Sequence, residues 1–324
     1  MCTAATYQTK HFYFGRNLDY EQSFGESVVI TPRNWPLALR HGAAMETHYA
    51  MIGMAHMQDG FPLYYDAVNE KGLCIAGLNF VRSAVYHPVR EGAENVAQFE
   101  LIPWLLGRCA TLLEARTLLE RTNITGTPFC GGLPAARLHW MVADRTGCIA
   151  VESVADGLHV YDDPAGVLTN EPPFPMQLFT LNNYAQLSPE SPVNRFAPAL
   201  PLAAYSRGMG AMGLPGDLSS QSRFVRAAFV RANSVSGDGE TESLSQLFHI
   251  LGSVEQQRGC CRLTGGECEL TLYTGCCSAD RGVYYYTTYD NSQITAVDMH
   301  HADLDGAAPV SYPLLTDMRI YRQN

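Results

Sequence analysis

The chain has 324 residues, of which 46% are hydrophobic and 17% are charged, a composition too apolar for disorder and sufficient for a large core. The formal net charge of −10 argues against a broad nucleic-acid surface, because phosphate contacts need clustered basic residues. No apolar run approaches the ~18 residues of a membrane span, and the N-terminal residues lack the basic and apolar regions of an export signal. We therefore expect a cytoplasmic globular protein whose partner is a small molecule, with no nucleic-acid partner and no membrane insertion.

The first half of the chain predicts strands followed by helices. Two β-prone runs at 2–7 and 12–15, separated by a polar stretch, are typical of a hairpin. Further strands are expected at 27–31, 50–54, 63–68 and 73–78. Helical periodicity covers 97–106, and a second helix is expected from Thr111, where Glu114 three residues later completes a capping box.

The second half returns from helices to strands. Strands are expected at 138–144, 148–154, 270–274, 282–289 and 294–299. Helices are predicted at 176–184, 221–232 and 244–251, the last opening at Ser243 with Gln246 as its capping partner. This segregation of strands and helices favours an α+β fold over a doubly wound parallel sheet. No repeat or linker-like break divides the sequence, so we expect residues 1–324 to form a single domain.

Ten cysteines are present, at positions 2, 74, 109, 130, 148, 260, 261, 268, 276 and 277. No Cys-x-x-Cys pair occurs, and adjacent cysteines on a strand point to opposite faces, so the spacing does not favour a zinc site. We expect reduced thiols that mostly serve as small core residues. A metal-binding or redox module built on residues 260–277 is the alternative from a different functional class.

Cys2 differs from the other cysteines because it follows the initiator methionine. Its side chain is small, so removal of Met1 is expected, and Cys2 would then carry a free α-amine. That amine and the thiol titrate near pH ~8 and ~8.5, so one residue can supply both a nucleophile and a base. Arg16 and Asp19, at the end of the second predicted strand, are placed to reach back to Cys2 and to stabilise its thiolate and ammonium. Alternatively, these two charges pair with each other on a surface turn.

Several short segments resemble the choloylglycine hydrolase family, which includes bile salt hydrolases and penicillin V acylases. They are Met1-Cys2-Thr3, Gly15-Arg16-Asn17-Leu18-Asp19, Asn69-Glu70-Lys71-Gly72-Leu73, Ala76-Gly77-Leu78-Asn79-Phe80, Val167-Leu168-Thr169-Asn170, Gly213-Leu214-Pro215-Gly216-Asp217 and Ser222-Arg223-Phe224. These segments keep the family's order and span nearly the whole chain. The resemblance implies an N-terminal nucleophile hydrolase with a four-layer αββα sandwich of antiparallel sheets, assembled as a homotetramer.

The resemblance also implies a catalytic set, which consists of Cys2, Arg16, Asp19, Asn79, Asn170 and Arg223. The cysteine would be the nucleophile and its amine the proton shuttle, while Arg223 would support the electrostatics of the thiol. The two asparagines would form the oxyanion hole. On sequence alone, each asparagine ends an apolar run, where stabilising a turn is an equal alternative. The implied reaction is amide hydrolysis through a thioester, with no metal or organic cofactor.

The implied substrates are bile salts conjugated to glycine or taurine. Bile salt hydrolases carry Asn at the position of Asn79, whereas penicillin V acylases typically carry Tyr; a penicillin V acylase or other N-acyl amide hydrolase with the same machinery is the alternative. A steroid needs a broad apolar pocket, although each apolar candidate could equally be a core residue. The predicted substrate-binding residues are Leu18, Met54, Phe61, Phe129, Leu133 and Arg207. Arg207 lies in a stretch, 205–210, that resembles a family loop linked to glycine preference, where its guanidinium would bind the anionic end of the substrate.

Overall fold

The computed structural model describes residues 1–324 and contains seventeen strands and five α-helices. The strands are β1 (Cys2–Gln8), β2 (Phe12–Tyr20), β3 (Ser27–Thr31), β4 (Met51–Gln58), β5 (Phe61–Asn69), β6 (Cys74–Asn79), β7 (Glu94–Ala97), β8 (Thr122–Thr125), β9 (Leu138–Asp144), β10 (Gly147–Val154), β11 (Gly157–Asp162), β12 (Val167–Leu168), β13 (Cys261–Arg262), β14 (Cys268–Ser278), β15 (Val283–Thr288), β16 (Asn291–Asp298) and β17 (Val310–Pro313). The helices are α1 (Leu101–Arg108), α2 (Leu112–Leu119), α3 (Phe174–Thr180), α4 (Ser220–Asn233) and α5 (Glu240–Gly252).

Two antiparallel sheets form the centre of the protein. The first sheet has the spatial order β12, β1, β2, β14, β15, β16, and β13 pairs with β14. The second sheet has the order β11, β10, β9, β6, β5, β4, β3, β17. Strands β7 and β8 form a separate parallel pair. Each sheet therefore mixes strands from the beginning and the end of the chain.

The sheets pack on each other, and helices cover their outer faces. Helices α4 and α5 lie on the first sheet, and α1 and α2 lie on the second. One apolar cluster joins the two sheets and continues under α4 and α5, while another fills the space between the second sheet and the α1 layer. This arrangement confirms the predicted α+β sandwich with four αββα layers.

Strands β1 and β2 of the first sheet are buried on both faces, and this determines their character. All nine residues of β2 except the last are buried, including three polar or charged side chains. A strand covered on both sides normally consists of apolar residues, and a buried charge persists only where partners compensate for its lost hydration. The polar positions of β2 therefore indicate a site built into the core.

Two sequence predictions about helices need correction. Helix α5 begins at Glu240 rather than 244, because Glu242 accepts a hydrogen bond from the backbone nitrogen of Gly239 and caps the helix one turn earlier. Ser243, the expected cap, is already inside the helix, and its hydroxyl lies 2.8 Å from the hydroxyl of Thr9. The helix predicted from 97 begins as a 3₁₀ turn at Gln98–Glu100 and becomes α-helical at Leu101. No helix is both long and apolar enough to cross a membrane.

Candidate active site

Cys2 is the first residue of β1 and lines a cavity of the protein. It lies opposite Leu18 of β2, and only 1% of its surface is exposed. Met1 is attached in this chain, so the Cys2 nitrogen is an amide, and it donates a hydrogen bond of 2.9 Å to Oδ1 of Asn170. The hairpin predicted from the first fifteen residues therefore positions the thiol.

Asp19 follows the residue opposite Cys2 and is fully buried. Its Oδ1 accepts a hydrogen bond of 2.6 Å from the hydroxyl of Thr271, and its Oδ2 accepts one of 3.3 Å from the amide of Gln256. Both partners lie far from Asp19 in the sequence. Their hydrogen bonds compensate for the hydration that the buried carboxylate loses. No pattern in the sequence pointed to either of these partners.

The terminal amine lies against backbone and carboxylate oxygens. The Met1 amine donates a hydrogen bond of 2.6 Å to the backbone oxygen of Asp19 and also pairs with the carboxylate of Glu269. Burial lowers the pKa of this amine, while the charges of Cys2 and Asp19 oppose that effect. An amine at this end of β1 is thus held in a polar, largely buried environment.

Arg16 is also fully buried, in the middle of β2. Its Nη1 donates hydrogen bonds of 3.2 Å and 3.1 Å to the backbone oxygens of Tyr65 and Gly77. Burial opposes its charge, but the negative groups around it, first of all Cys2, raise the pKa of the guanidinium overall. Arg16 makes no ion pair with Asp19, so the alternative of a surface pair is wrong, and a permanent positive charge lies beside the thiol.

Arg223 reaches the same region from α4. Its Nη1 donates hydrogen bonds of 2.6 Å to the backbone oxygen of Cys2 and to the hydroxyl of Thr3, and its Nη2 donates one of 2.6 Å to Oδ1 of Asn170. Nη1 also lies 3.8 Å from Oδ2 of Asp19. Burial lowers the pKa of this guanidinium, and the charge of Asp19 opposes that effect. Arg223 therefore links β1, β2 and the segment that follows β12.

The two predicted asparagines are in direct contact. Nδ2 of Asn170 donates a hydrogen bond of 2.8 Å to the backbone oxygen of Asn79. Asn170 is buried, whereas Asn79 is half-buried at the end of β6, lines the cavity and makes no side-chain hydrogen bond within the protein. Turn stabilisation does not explain an amide that bridges two separate segments. We call Cys2, Arg16, Asp19, Asn79, Asn170 and Arg223 together the Cys2 cluster.

The strand register also orients the backbone of Asn79. The backbone N–H of Phe80 donates a hydrogen bond to the backbone oxygen of Arg137. Leu138 lies opposite Asn79, and its backbone N–H donates to the hydroxyl of Tyr86 instead. Antiparallel pairs alternate between hydrogen-bonded and non-hydrogen-bonded, so Asn79 and Leu138 form a non-bonded pair. The backbone N–H of Asn79 consequently faces away from β9.

The cavity forms where two neighbouring strands separate. Strands β5 and β6 pair only from Asp66 to Val68, although each continues to pair with its other neighbour beyond that point. The guanidinium of Arg16 binds the carbonyls of Tyr65 and Gly77 just beyond the separation. The resulting cavity has a volume of about 250 Å³, and fourteen of its twenty lining residues are hydrophobic. Such a space suits an apolar group with a few fixed polar contacts.

Three of the predicted substrate residues line this cavity, namely Leu18, Phe129 and Leu133. Phe129 and Leu133 belong to an irregular segment between β8 and β9, and both are half-buried. Together with Phe99 and Ile102 from the α1 layer they form the apolar side of the cavity, which we call the cavity wall. Leu18 lies at the other end, directly opposite Cys2.

The other three predicted substrate residues lie elsewhere. Met54 is fully buried in the core between the sheets, because the alternation of β4 places it on the same face as Ala50 and Ile52. Phe61 packs behind the cavity wall, with its ring centroid 5.8 Å from those of Phe99 and Phe129. Arg207 is exposed on a loop and does not line the cavity. The structure thus corrects the sequence prediction at these positions.

Sequence reasoning missed the polar residues that complete the site. Gln98 and His56 line the cavity, and the amide of Gln98 makes no hydrogen bond within the protein. Asp66 is buried and accepts hydrogen bonds of 2.7 Å from the hydroxyls of Tyr273 and Tyr284. Asp66 could have been noticed in the sequence, because it is a carboxylate within a strand of mostly apolar residues. No group of three or more His, Cys, Asp or Glu side chains is arranged to hold a metal ion.

Comparisons with known proteins agree with this geometry. The sequence model described as "Linear amide C-N hydrolases, choloylglycine hydrolase family" matches residues 2–312. The chain is 53% identical over 324 residues to a bile salt hydrolase/transferase of Lactiplantibacillus plantarum, covering 100% of both chains. It is 37% identical over 316 residues to a bile salt hydrolase/transferase of Bifidobacterium longum, covering 96% of this chain and 99% of the relative.

Solved structures give the same result. The structure of the mutant C2A of the conjugated bile acid hydrolase from Clostridium perfringens superposes with a TM-score of 0.94 and 36% identity, over 100% of both chains. A penicillin V acylase from Agrobacterium tumefaciens, with a TM-score of 0.77 and 20% identity over 96% of this chain and 90% of its own, shares the fold. A family match over nearly the whole length, together with the same layered sandwich, assigns this chain to the choloylglycine hydrolase family of linear amide hydrolases.

Proposed function

We propose that this enzyme is a bile salt hydrolase that cleaves the amide bond of glycine- or taurine-conjugated bile acids, with Cys2 as the nucleophile. The observation that carries the proposal is the position of the Cys2 thiol, which opens onto an apolar cavity beside two asparagines and two buried arginines. The names of the relatives from Lactiplantibacillus plantarum and Bifidobacterium longum support the substrate class. An apolar steroid would lie along the cavity wall with its amide at the thiol.

The first step requires a thiolate and a base. Removal of Met1 turns the Cys2 nitrogen into a free amine whose ordinary pKa is about 8, so it can accept the thiol proton. Arg16 provides a fixed positive charge beside the sulfur and favours the thiolate. The sulfur then attacks the amide carbon, the carbon–nitrogen bond breaks, and the protonated Cys2 amine returns its proton to the leaving amino acid.

The tetrahedral intermediate places a negative charge on the former carbonyl oxygen. Nδ2 of Asn170 has two hydrogens and gives one of them to Asn79, which leaves the other for this oxygen. The backbone N–H of Asn79, which faces away from β9, is the second donor. Each such donor typically stabilises the transition state by ~2.7–4 kcal/mol, so these two contacts account for a large part of the catalysis.

The second step releases the bile acid. Water, activated by the neutral Cys2 amine, attacks the thioester carbon, and the thiolate leaves. The relatives named hydrolase/transferase suggest that another amine can take the place of water here, which gives a new amide instead of an acid. Asp19, held by Thr271 and Gln256, keeps its carboxyl group close to the amine in both steps.

A penicillin V acylase or another N-acyl amide hydrolase is the second candidate, because the same machinery would serve it. Initial rates on glycocholate, taurocholate and penicillin V separate the two. We expect both bile salts to be hydrolysed at least ~100-fold more efficiently than penicillin V, which corresponds to ~2.7 kcal/mol of difference in transition-state binding. Faster turnover of penicillin V would contradict the substrate assignment.

We further propose that residues 1–324 fold as one domain and assemble as a homotetramer. Support for one domain comes from β17, which pairs with β3 and ties the C-terminal region into the second sheet. Support for assembly comes from large apolar side chains that are strongly exposed in the segment before α4, including Val193, Phe196 and Tyr205. Light scattering on purified protein tests the tetramer. The cytoplasmic location and the lack of any cofactor are still predictions.

A further inference from the structure

The oxyanion donors proposed above belong to two segments that are distant in sequence. Asn79 begins segment 79–83, and Asn170 is the centre of segment 169–171. The direct hydrogen bond from Asn170 to Asn79 is a single contact, and one contact between two irregular segments does not fix their separation. An oxyanion hole functions only if its donors are held before the reaction, so further contacts between the segments are required.

Glu171 supplies three such contacts. Its Oε1 accepts hydrogen bonds of 2.8 Å and 3.0 Å from the backbone nitrogens of Arg82 and Ser83, and its Oε2 accepts one of 2.7 Å from the hydroxyl of Ser83. Glu171 directly follows Asn170, and Ser83 lies four residues after Asn79. A carboxylate that accepts three hydrogen bonds from one short segment acts as a clamp, because charge-assisted bonds are the stronger ones.

His139 supplies further contacts inside the core. Its Nε2 lies 2.8 Å from the backbone oxygen of Thr169, and its ring stacks on Phe80 with a centroid distance of 4.2 Å and an angle of 4°. Its Nδ1 lies 3.0 Å from Oε1 of Glu152, which also accepts the backbone N–H of Phe174 at 2.9 Å. His139 thus contacts the residue after Asn79 and the residue before Asn170 with one rigid, fully buried ring.

We propose that Glu171 and His139 are positioning residues that together hold the two amide segments in register. Neither side chain lines the cavity, so both act through Asn79 and Asn170 rather than on the substrate. The inference rests on the proposed role of the two asparagines as oxyanion donors. It predicts that loosening either clamp lowers the rate of the chemical step and leaves substrate affinity and thiol reactivity intact.

Glu171 gives the sharper test because it is only half-buried. Displacing a catalytic group by about 1 Å can reduce the rate ~100-fold, so Glu171→Ala should lower kcat for glycocholate by ~10–100-fold. KM should stay within about twofold, because ground-state binding is not involved. Alkylation of the Cys2 thiol by iodoacetamide should keep its wild-type rate. Glu171→Gln keeps an oxygen for the N–H groups of Arg82 and Ser83 and should recover most of the activity.

His139→Phe retains a ring against Phe80 but loses the contacts to Thr169 and Glu152, and should also lower kcat. Glu91→Ala is the matched control for Glu171→Ala, because Glu91 is an exposed glutamate without hydrogen bonds, and it should keep the wild-type kcat. Backbone hydrogen exchange of residues 79–84 and 169–174 should accelerate in Glu171→Ala, and this readout does not depend on any substrate. A folded Glu171→Ala variant with wild-type kcat and unchanged exchange overturns the clamp. Failure of the wild-type enzyme to cleave bile salts would instead overturn the proposed function. The exchange measurement would still show whether Glu171 holds the two segments in place.

Discussion

The Cys2 cluster and the cavity wall are built in different ways, although they border the same cavity. Residues of the Cys2 cluster lie on paired strands, on α4 or just after β12, are nearly all buried, and are joined by hydrogen bonds between distant parts of the chain. The cavity wall contains Phe129 and Leu133 from an irregular segment, whose half-buried side chains contribute apolar surface to the cavity.

This difference separates chemistry from specificity. Buried charges and amides keep their positions only if every partner is present, so the Cys2 cluster tolerates little change. Apolar contacts lack direction and vary with surface area, so the cavity wall can be altered with graded effects. We therefore expect substitutions in the cluster to change kcat strongly, and substitutions in the wall to change KM moderately.

Replacing the nucleophile should have the largest effect. Cys2→Ala should remove turnover almost completely, since loss of a catalytic nucleophile can cost ~10⁶-fold in kcat. Cys2→Ser should also be severely impaired, because an alcohol is far less acidic than a thiol. Steady-state hydrolysis of glycocholate measures both. Cys260→Ala, which changes an exposed cysteine outside the cavity, is the matched control and should retain full activity; normal turnover by Cys2→Ala would refute the mechanism.

Removing an oxyanion donor should have the next largest effect. Asn170→Ala eliminates one donor and should reduce kcat by ~10²–10³-fold, as measured in single-turnover experiments. The variant also removes the acceptor shared by Cys2 and Arg223, so thermal unfolding should be recorded in parallel. Asn123→Ala provides a control, because Asn123 is an equally buried amide that bonds to Pro88 and Asn95 instead. If both variants lost kcat alike, the amide would have only a structural role.

A change in the cavity wall should be milder and of a different kind. Phe129→Ala removes apolar contact worth up to ~1.5–3 kcal/mol, so KM for glycocholate should rise about tenfold or more, while kcat stays nearly constant. Phe61→Leu, one layer behind the wall, should change KM less. A large fall in kcat with an unchanged KM for Phe129→Ala would contradict the assignment of catalysis to the Cys2 cluster and of substrate binding to the cavity wall.

A smaller effect, on stability, concerns the turn that precedes β12 and Asn170. Burial raises the pKa of Asp163 to about 7, and its Oδ2 has no hydrogen-bond partner. Between pH 3.8, the ordinary value, and about 7, the unfolded chain loses this proton while the folded protein keeps it, so stability falls as pH rises through that interval. Asp163→Asn retains the acceptor for Gly166 and should reduce this pH dependence, measured as Tm from pH 4 to 8. An unchanged Tm profile would contradict the assignment.

The sequence predicted the Cys2 cluster better than the cavity wall, and the reason is physical. Cys2, Arg16 and Asp19 lie on one hairpin whose register follows from local alternation and a short polar turn. Asn79 ends β6 and Asn170 follows β12 by two residues, and the apolar runs that precede both asparagines are recognisable in the sequence. By contrast, alternation along β4 gives Met54 a face but does not show that this face meets the core between the sheets rather than a cavity, and the separation of β5 from β6 depends on tertiary packing. Partners such as Thr271 and His139 become neighbours only through the complete sandwich, which local patterns do not encode.

The most direct test of the account is the mass of the active enzyme during turnover. Intact-mass spectrometry of protein purified in the active form should detect a chain without Met1. When the reaction with glycocholate is stopped rapidly with acid, the intact mass should increase by one cholyl group. Digestion of the stopped sample should place this group on the peptide that begins with Cys2. Active protein that still carries Met1, or an acyl group attached to any other residue, would contradict the claim that one N-terminal residue supplies both the sulfur and the base.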